Sequence, residues 1–188
     1  DDENAILIVN FVIDNASTPK EKIEGYQQLM KIKLKTASKK EYPKIKKSYE
    51  DLFNEFGSGK ETHQLQLDYN YFLGFQNNEK DLAVSNLKSF SKQPLSQYQE
   101  ARIKMLLADI LVFDEKFNQA LIYYSQIQHE VKGNLLAQEA RFKVAKTSYF
   151  NFDFAWAQLQ LDVLKKSATQ LIANDAMQLS LLIKDNSI

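Results

Sequence analysis

The chain has 188 residues and a formal net charge of zero, and 44% of its residues are hydrophobic, which is enough for a sizeable core. A protein whose main task is to hold nucleic acid or an anionic membrane is usually basic, so this class is not favoured. Cysteine is absent, which excludes disulfides, thiolate metal sites and cysteine nucleophiles. With only 5 glycines and 3 prolines, the composition argues against an all-β fold.

The first element is an apolar run, residues 5–13, that we predict to lie in a helix over residues 2–14. Acidic residues at its start suit a helix N-terminus. A buried strand is the alternative, because the run is rich in β-branched residues. It is too short to span a bilayer and lacks the basic flank of a secretion signal. Because the chain begins with Asp rather than Met, we expect a processed or trimmed piece. The predicted apolar stripe consists of Ala5, Val9, Val12 and Ile13.

Two capping boxes mark the next helices. Residues 18–21 combine Thr and Glu at the capping-box spacing with Pro at the first helical position, which predicts a helix to about Thr36. Residues 38–41 form a second box, and the helix that follows is predicted to end near Phe56, where glycines at residues 57–59 stop it. These two helices are expected to form a pair over residues 18–56.

The remainder of the chain reads as a series of helices joined by short turns. We find no long linker and no low-complexity tract, so the sequence predicts one domain over residues 1–188. The predicted helices cover roughly residues 61–76, 79–92, 96–113, 116–131, 134–150, 154–166 and 168–184.

Small residues recur at a fixed distance within these helices. Ala145 lies 37 residues after Ala108, and Ala157 lies 37 residues after Ala120, which itself lies 37 residues after Ala83. A period of this size built from two helices is typical of a helical solenoid. Two antiparallel helices approach closely where a small side chain faces the partner, and larger neighbours then interdigitate. The larger packed positions are predicted to be Leu87, Phe90, Leu107, Leu111, Phe117, Tyr124, Ile127, Val144, Phe154, Leu161 and Leu164.

The last predicted helix has no partner helix after it in this sequence. We expect it either to cover the end of the stack or to continue into further repeats. Its predicted packed residues are Leu171, Ile172, Met177, Leu181 and Leu182.

The pattern Leu107-Ala108-x-x-Leu111 followed by Ala120-x-x-x-Tyr124-x-x-Ile127 resembles the tetratricopeptide repeat. That repeat favours Leu-Gly/Ala-x-x-Tyr followed by Ala-x-x-x-Phe/Tyr-x-x-Ala and a closing Pro. The resemblance covers residues 64–167 well and residues 18–56 loosely.

This sequence departs from the family pattern in several places. The usual repeat is slightly shorter, Ser148 replaces an aromatic residue, and Pro94 stands about one residue from the expected closing position. In the repeat that contains Ala83, Leu73-Gly74 looks like the small-residue pair but is out of register. Related helical-hairpin repeats are therefore an alternative.

The resemblance implies an all-α, right-handed superhelix of about four helix pairs, over residues 18–56, 61–92, 96–131 and 134–166, with flanking helices 2–14 and 168–184. In this family the first helix of each pair lines a groove that holds an extended peptide or a partner helix. The residues that map to the groove are Asp68, Phe72, Phe75, Arg102, Met105, Asp109, Val112, Glu139, Phe142, Lys146 and Tyr149.

The implied function is a non-catalytic scaffold whose partner is a protein or peptide, with no small-molecule substrate and no cofactor. The Lys/Asn constellation that some family members use to hold a C-terminal carboxylate is not found at these positions. The texture, rich in Asn, Lys, Tyr and Phe, also resembles long envelope-associated bacterial proteins of this family, which favours a periplasmic or envelope-associated location.

Candidate catalytic features are few. Residues 57–60, Gly-Ser-Gly-Lys, lack the spacing of a phosphate-binding loop and are interpreted as a helix stop. His63 and His129 each lie near a carboxylate but belong to no metal-binding motif, so we expect both on the surface. No serine nucleophile motif is present. The sequence therefore predicts neither an enzyme nor a metal site.

A basic cluster between Lys31 and Lys47 supports the main alternative function, binding of nucleic acid or anionic lipid. The cluster lacks arginine and has few aromatic residues, whereas nucleic-acid grooves often use both. We therefore favour a solvated helix pair. A purely structural segment of a longer repeat array is a further alternative. The lysines are Lys31, Lys33, Lys35, Lys39, Lys40, Lys44, Lys46 and Lys47.

Overall fold

The helix signals in the sequence produce helices at nearly the predicted residues. The computed structural model describes residues 2–167 and 169–186, and these residues contain helices but no strands. The prediction of an all-α fold is confirmed. The helices are α1 (Asp2–Asp14), α2 (Pro19–Thr36), α3 (Tyr42–Phe56), α4 (His63–Tyr71), α5 (Lys80–Phe90), α6 (Gln97–Phe113), α7 (Phe117–Glu130), α8 (Leu135–Phe150), α9 (Phe154–Ser167) and α10 (Gln170–Asn186).

Both predicted capping boxes form. The backbone amide of Glu21 donates to Oγ1 of Thr18 over 3.2 Å, and the Glu21 carboxylate accepts the Thr18 amide, which fixes the start of α2. At Ser38 the box instead begins a short 3₁₀ turn, Lys39–Glu41, that leads directly into α3. Local side-chain hydrogen bonds thus determine where the helices begin.

The contacts divide the chain into two compact units, unit 1 (Asp1–Pro94) and unit 2 (Leu95–Ile188). In unit 1, α1 packs on α2, α2 on α3, α3 on α4, and α4 on α5. Gly25 of α2 allows the close approach of α1, since a Cβ built there would lie 2.6 Å from Cγ1 of Ile13. The single domain and the superhelix both stay predictions.

Unit 2 is a series of consecutive helix pairs. Each helix from α6 to α10 packs on the next one, and α8 also contacts α6 and α10. Because short turns reverse the chain at each step, α6 and α8 run in the same direction and end at the same side of the unit. The predicted packing of consecutive helix pairs is confirmed.

The buried positions recur as the sequence predicts. Ala108 and Ala145 are completely buried in α6 and α8. In α5, α7 and α9 the buried residues are spaced alike, 37 residues apart. The small residues therefore face their neighbouring helices and not solvent. The recurring buried residues are Ala83, Leu87 and Phe90; Ala120, Tyr124 and Ile127; and Ala157, Leu161 and Leu164.

A π turn explains the loss of register in the earlier repeat. Residues Phe72–Gln76 form this turn at the end of α4, and the amide of Asn77 donates to the carbonyl of Phe72 over 2.9 Å. Every buried residue of α6 lies 38 residues after a buried residue of α4 or the π turn. Beyond the turn, the buried residues of α7 lie 37 residues after those of α5. A π turn absorbs one extra residue. Leu73 is thus the equivalent of Leu111.

Several predicted core residues are exposed instead. In α10 the buried side chains are Ile172, Ala176, Ser180 and Ile183, so of the predicted packed residues only Ile172 faces inward. Which face packs depends on the neighbours α8 and α9, and the sequence of α10 is apolar on both sides. The predicted helix start at Ala168 lies outside the described residues. The predicted core residues that are exposed are Val12, Phe154, Leu171, Met177, Leu181 and Leu182.

No helix in the described part of the chain has both the length and the hydropathy that a bilayer span requires.

The buried alanines give a first testable prediction. Replacing Ala120 with Leu should lower the free energy of unfolding by about 1–3 kcal/mol through overpacking against α6 and α8. Its neighbour Gln119 is exposed, so Gln119→Leu is a matched control that should change stability little. Urea denaturation followed by circular dichroism measures both. Equal stabilities of the two variants would contradict the packing.

Gly25 gives a second prediction, in which a substitution that raises helix propensity should nevertheless lower stability. Alanine is favoured over glycine in a helix by about 1 kcal/mol. The clash with Ile13, however, should outweigh that gain, so Gly25→Ala should destabilise unit 1 by roughly 1 kcal/mol. Gly59→Ala is the control, since a Cβ there meets nothing within 4 Å. Stabilisation by Gly25→Ala in urea denaturation would show that α1 is not held against α2 in this way.

Candidate functional site

Three of the predicted groove residues belong to unit 1. The prediction that one of them, Phe72, faces an open groove is wrong. Phe72 is fully buried, and its ring packs edge to face with that of Tyr42, with 5.1 Å between the ring centroids. The error comes from the π turn, because the true equivalent of Asp109 lies 38 residues earlier, at Tyr71, which is half exposed. Phe75 is partly buried against the Tyr71 ring, with 4.8 Å between centroids.

The third residue, Asp68, has partners within unit 1. Its carboxylate accepts a hydrogen bond from Nε2 of Gln64 over 2.8 Å, and its Oδ2 lies 3.8 Å from Nζ of Lys31 on α2. Asp68 is therefore a link between α2 and α4 as well as a surface candidate.

Helix α6 carries four predicted groove residues. Met105 is buried, 7% exposed, so its placement in an open groove is wrong. Met105 is one of the buried residues of α6, together with Ala101, Ile103 and Leu107, that pack against the rest of the unit. Arg102 and Val112 are half-buried and keep part of their side chains at the surface.

The fourth residue, Asp109, connects three helices. Its carboxylate accepts a hydrogen bond from the hydroxyl of Tyr124 on α7 over 2.5 Å and pairs with Nζ of Lys143 on α8 over 2.6 Å. Burial, followed by the negative charge of Asp109, raises the pKa of Tyr124, so that the phenol stays protonated and remains a donor. This arrangement fixes α6 relative to α8 and thereby the spacing of the surface residues on both helices.

Helix α8 presents the remaining predicted residues along one side. Glu139 and Lys146 are exposed, while Phe142 and Tyr149 are partly buried against the core formed with α9 and α10. The ammonium of Lys146 lies 5.9 Å from the ring centroid of Phe142, within cation–π distance. The structure thus brings these residues together as a mixed charged and aromatic surface.

Sequence reasoning missed an exposed cluster of aromatic residues where α8 turns into α9. We call it the aromatic corner, and it consists of Phe150, Phe152, Phe154 and Trp156. The side chain of Phe152 is 82% exposed, and its ring lies 6.2 Å from that of Phe154. Tyr149 joins the cluster, 5.6 Å from Phe154.

A signal for this corner was present in the repeat. The residues with positive φ at the turns after the first helices are Asn78 (56°), Glu115 (57°) and Phe152 (61°), spaced 37 residues apart. Asn is well tolerated in this left-handed region, whereas a bulky residue there is uncommon. A Phe at a backbone position that favours Asn or Gly does not help the turn to form, which indicates that this side chain serves a purpose other than local folding.

The basic cluster is partly neutralised inside unit 1. Lys35 pairs with Asp2 over 3.3 Å, and Lys46 pairs with Glu79 over 2.6 Å. Together with Lys31, which pairs with Asp68, three of the eight lysines therefore have acidic partners elsewhere in unit 1. The residues that remain exposed and form no ion pair within the described part of the chain are Lys39, Lys40, Lys44 and Lys47.

A cleft of about 390 Å³ lies in unit 1 between α3, α4 and α5. Its floor is aromatic, and the hydroxyl of Tyr69 donates to the Glu50 carboxylate over 3.3 Å. His63 is buried, with its ring centroid 5.8 Å from that of the lining residue Phe90, so the prediction that His63 lies on the surface is wrong. His129 is exposed as predicted. The other lining residues are Lys46, Phe53, Ser58, Gln66, Leu82, Asn86, Ser89 and Gln93.

Among the residues that the structure describes, no group of three or more His, Asp or Glu side chains is arranged to hold a metal ion. Gly57, in the segment that resembles a phosphate loop, ends α3 with a φ of 76°. No protein-family model, curated protein or solved structure matches the chain.

The unusual backbone of Phe152 gives a third prediction. A left-handed conformation costs an ordinary residue about 1–2 kcal/mol, and Asn tolerates it better. Because the Phe152 side chain is mostly exposed, Phe152→Asn should raise the free energy of unfolding, by up to about 1 kcal/mol. Phe150→Asn is the control, since it removes an exposed ring from a helical position and should give no gain. Thermal unfolding of both variants distinguishes relief of backbone strain from loss of aromatic surface.

Proposed function

We propose that this chain is a non-catalytic scaffold of the tetratricopeptide type, in which helix pairs stack into a right-handed superhelix. It binds a partner protein or peptide on the side formed by the first helices of the pairs, and it needs no cofactor or small-molecule substrate.

The observation that carries the proposal is the repeated packing of helix pairs at a distance of 37 residues. Repeats of this kind bury their interior completely and leave one face of each first helix for recognition. In unit 2 those helices are α6 and α8, which are adjacent and run in the same direction. Their accessible predicted residues are Arg102, Asp109, Val112, Glu139, Phe142, Lys146 and Tyr149.

The mixture of residues on this face suits a polypeptide. Arg102, Glu139 and Lys146 offer charged groups of both signs, and Phe142 with Tyr149 offers partly exposed rings. Interfaces commonly join an aromatic centre to a polar rim. Because the Asp109 link fixes α6 and α8 at a set spacing, the face is pre-organised, which lowers the entropy lost on binding.

A second candidate function uses the four exposed lysines of unit 1, Lys39, Lys40, Lys44 and Lys47. They lie in the 3₁₀ turn and the first turns of α3, and a cluster of unpaired ammonium groups attracts polyanions. Retention on heparin that falls steeply with salt would favour this function. Absence of retention at low salt would exclude it.

Site-specific photocrosslinking tests the scaffold proposal. A benzophenone amino acid at position 139 or 146 should give discrete adducts with one or a few proteins in an extract of the cells that make this chain. The same amino acid at Gln126, an exposed residue of α7, is the matched control and should give at least about fivefold fewer adducts, since α7 is not one of the two helices of the proposed face.

Two results would contradict the proposal: equal crosslinking from position 126, or no protein adduct from positions 139 and 146. The label at position 40 serves as a further arm. Adducts from that position to nucleic acid or lipid, with none to protein from unit 2, would instead support the second candidate function.

A further inference from the structure

The ends of two hairpins in unit 2 carry aromatic side chains at equivalent positions. Phe113 and Phe117 flank the turn between α6 and α7, and Phe150 and Phe154 flank the turn between α8 and α9, 37 residues later. Since α6 and α8 run in the same direction and contact each other, both turns lie at the same end of the unit. Phe113 and Phe150 are each about half exposed. We call the aromatic corner together with Phe113 and Phe117 the aromatic edge.

Folding of unit 2 does not account for this edge. Phe152 has a φ of 61° and is 82% exposed, so it adopts an unfavourable backbone while burying little surface. In the corresponding turn of unit 1, Asn78 and Lys80 stand at the positions equivalent to Phe152 and Phe154, while Phe75 and Gln76 lie in the π turn, where the register shifts by one residue. The turn therefore needs no aromatic residue at the positions of Phe152 and Phe154. Exposed apolar clusters of this kind mark interaction surfaces.

The charges at the edge select the partner. Residues 113–117 contain two carboxylates and one lysine, and residues 150–154 contain one carboxylate and no basic residue, which gives the two turns a net charge of −2. Lys116 is paired with Asp114 over 2.7 Å, which leaves Glu115 and Asp153 as the other charged residues of the two turns, both exposed. An anionic membrane or a nucleic acid would be repelled, while a cationic segment would be attracted.

We infer that the aromatic edge of unit 2 docks a segment of a partner protein in which arginine or lysine alternates with apolar side chains. A guanidinium stacks on an exposed phenyl ring and at the same time donates to a nearby carboxylate, here Glu115 or Asp153. The apolar side chains of the segment cover the remaining area of Phe150, Phe152 and Trp156. This surface lies at the hairpin ends, next to the α6 and α8 face with which it shares Tyr149, and goes beyond the function proposed above.

Trp156, the only tryptophan in the chain, provides the readout, because its ring is 46% exposed within the aromatic corner. Three synthetic decapeptides serve as probes: one that alternates arginine with leucine, one with glutamate in place of arginine, and one with serine in place of leucine. We expect saturable quenching of Trp156 fluorescence by the arginine–leucine peptide alone. The affinity should fall as salt rises.

Phe152→Asn is the decisive variant, because it removes the ring while keeping or improving stability. It should weaken binding of the arginine–leucine peptide roughly tenfold. Glu115→Asn keeps a residue that tolerates positive φ, removes one charge, and should weaken binding several-fold with a smaller dependence on salt. Ile122→Ala, at an exposed apolar residue of α7 away from the edge, is the matched control and should leave the affinity unchanged.

Other outcomes would overturn the inference. These are equal affinity for the glutamate–leucine peptide, unchanged affinity in Phe152→Asn, or binding to anionic phosphatidylserine vesicles without peptide binding. Self-association of the chain that disappears in Phe152→Asn would reassign the edge to a second copy. Since the probe is a defined peptide, failure here leaves the crosslinking test of the α6 and α8 face unaffected.

Discussion

The close approach of paired helices at small side chains is the constraint on which the structure depends. Ala108, Ala120, Ala145 and Ala157 are all completely buried, and large neighbours fill the space around them. A helix pair held in this way still has an apolar side that it cannot bury alone, so each pair requires the next one. The order of helices in unit 2 follows from this requirement.

Unit 1 shows what happens when the small residue is replaced. In α4 the equivalent of Ala108 is Asn70, which is fully buried and donates from Nδ2 to the carbonyl of Gln66 over 2.8 Å. The larger polar residue is accompanied by the π turn Phe72–Gln76, which inserts one residue before α5 begins. Beyond the turn, Ala83 returns to the repeat position. The fold thus tolerates a change of register where the helix can absorb it.

Local signals made the helices and their repeat predictable from the sequence. The wrong predictions concern features that depend on contacts between distant parts of the chain or on the π turn. Capping boxes and the alanine spacing gave helix bounds within a few residues. The π turn has no signature in the spacing of apolar residues. The repeat alignment was therefore shifted by one residue in α4, and the buried Phe72 was assigned to the predicted groove. The orientation of α10 was only partly predictable, because apolar residues lie on both of its sides: Ile172 is buried as predicted, whereas Met177 is exposed, and contact with α8 and α9 decides which side is buried. His63 is buried for a similar non-local reason, its position against Phe90.

Comparison of the repeats within the chain separates residues that hold the fold from residues that are free to vary. Ala83, Ala120 and Ala157 are the same residue with the same burial, since a larger side chain there would separate the helices. The turns at residues 76–80, 113–117 and 150–154 share a backbone with a positive φ at the central residue, yet their side chains change from polar to aromatic. Because packing does not dictate these side chains, differences between repeats at the turns reflect what the turns contact. If the proposed partner binding holds, its specificity is therefore expected at the hairpin ends as well as along the first helices.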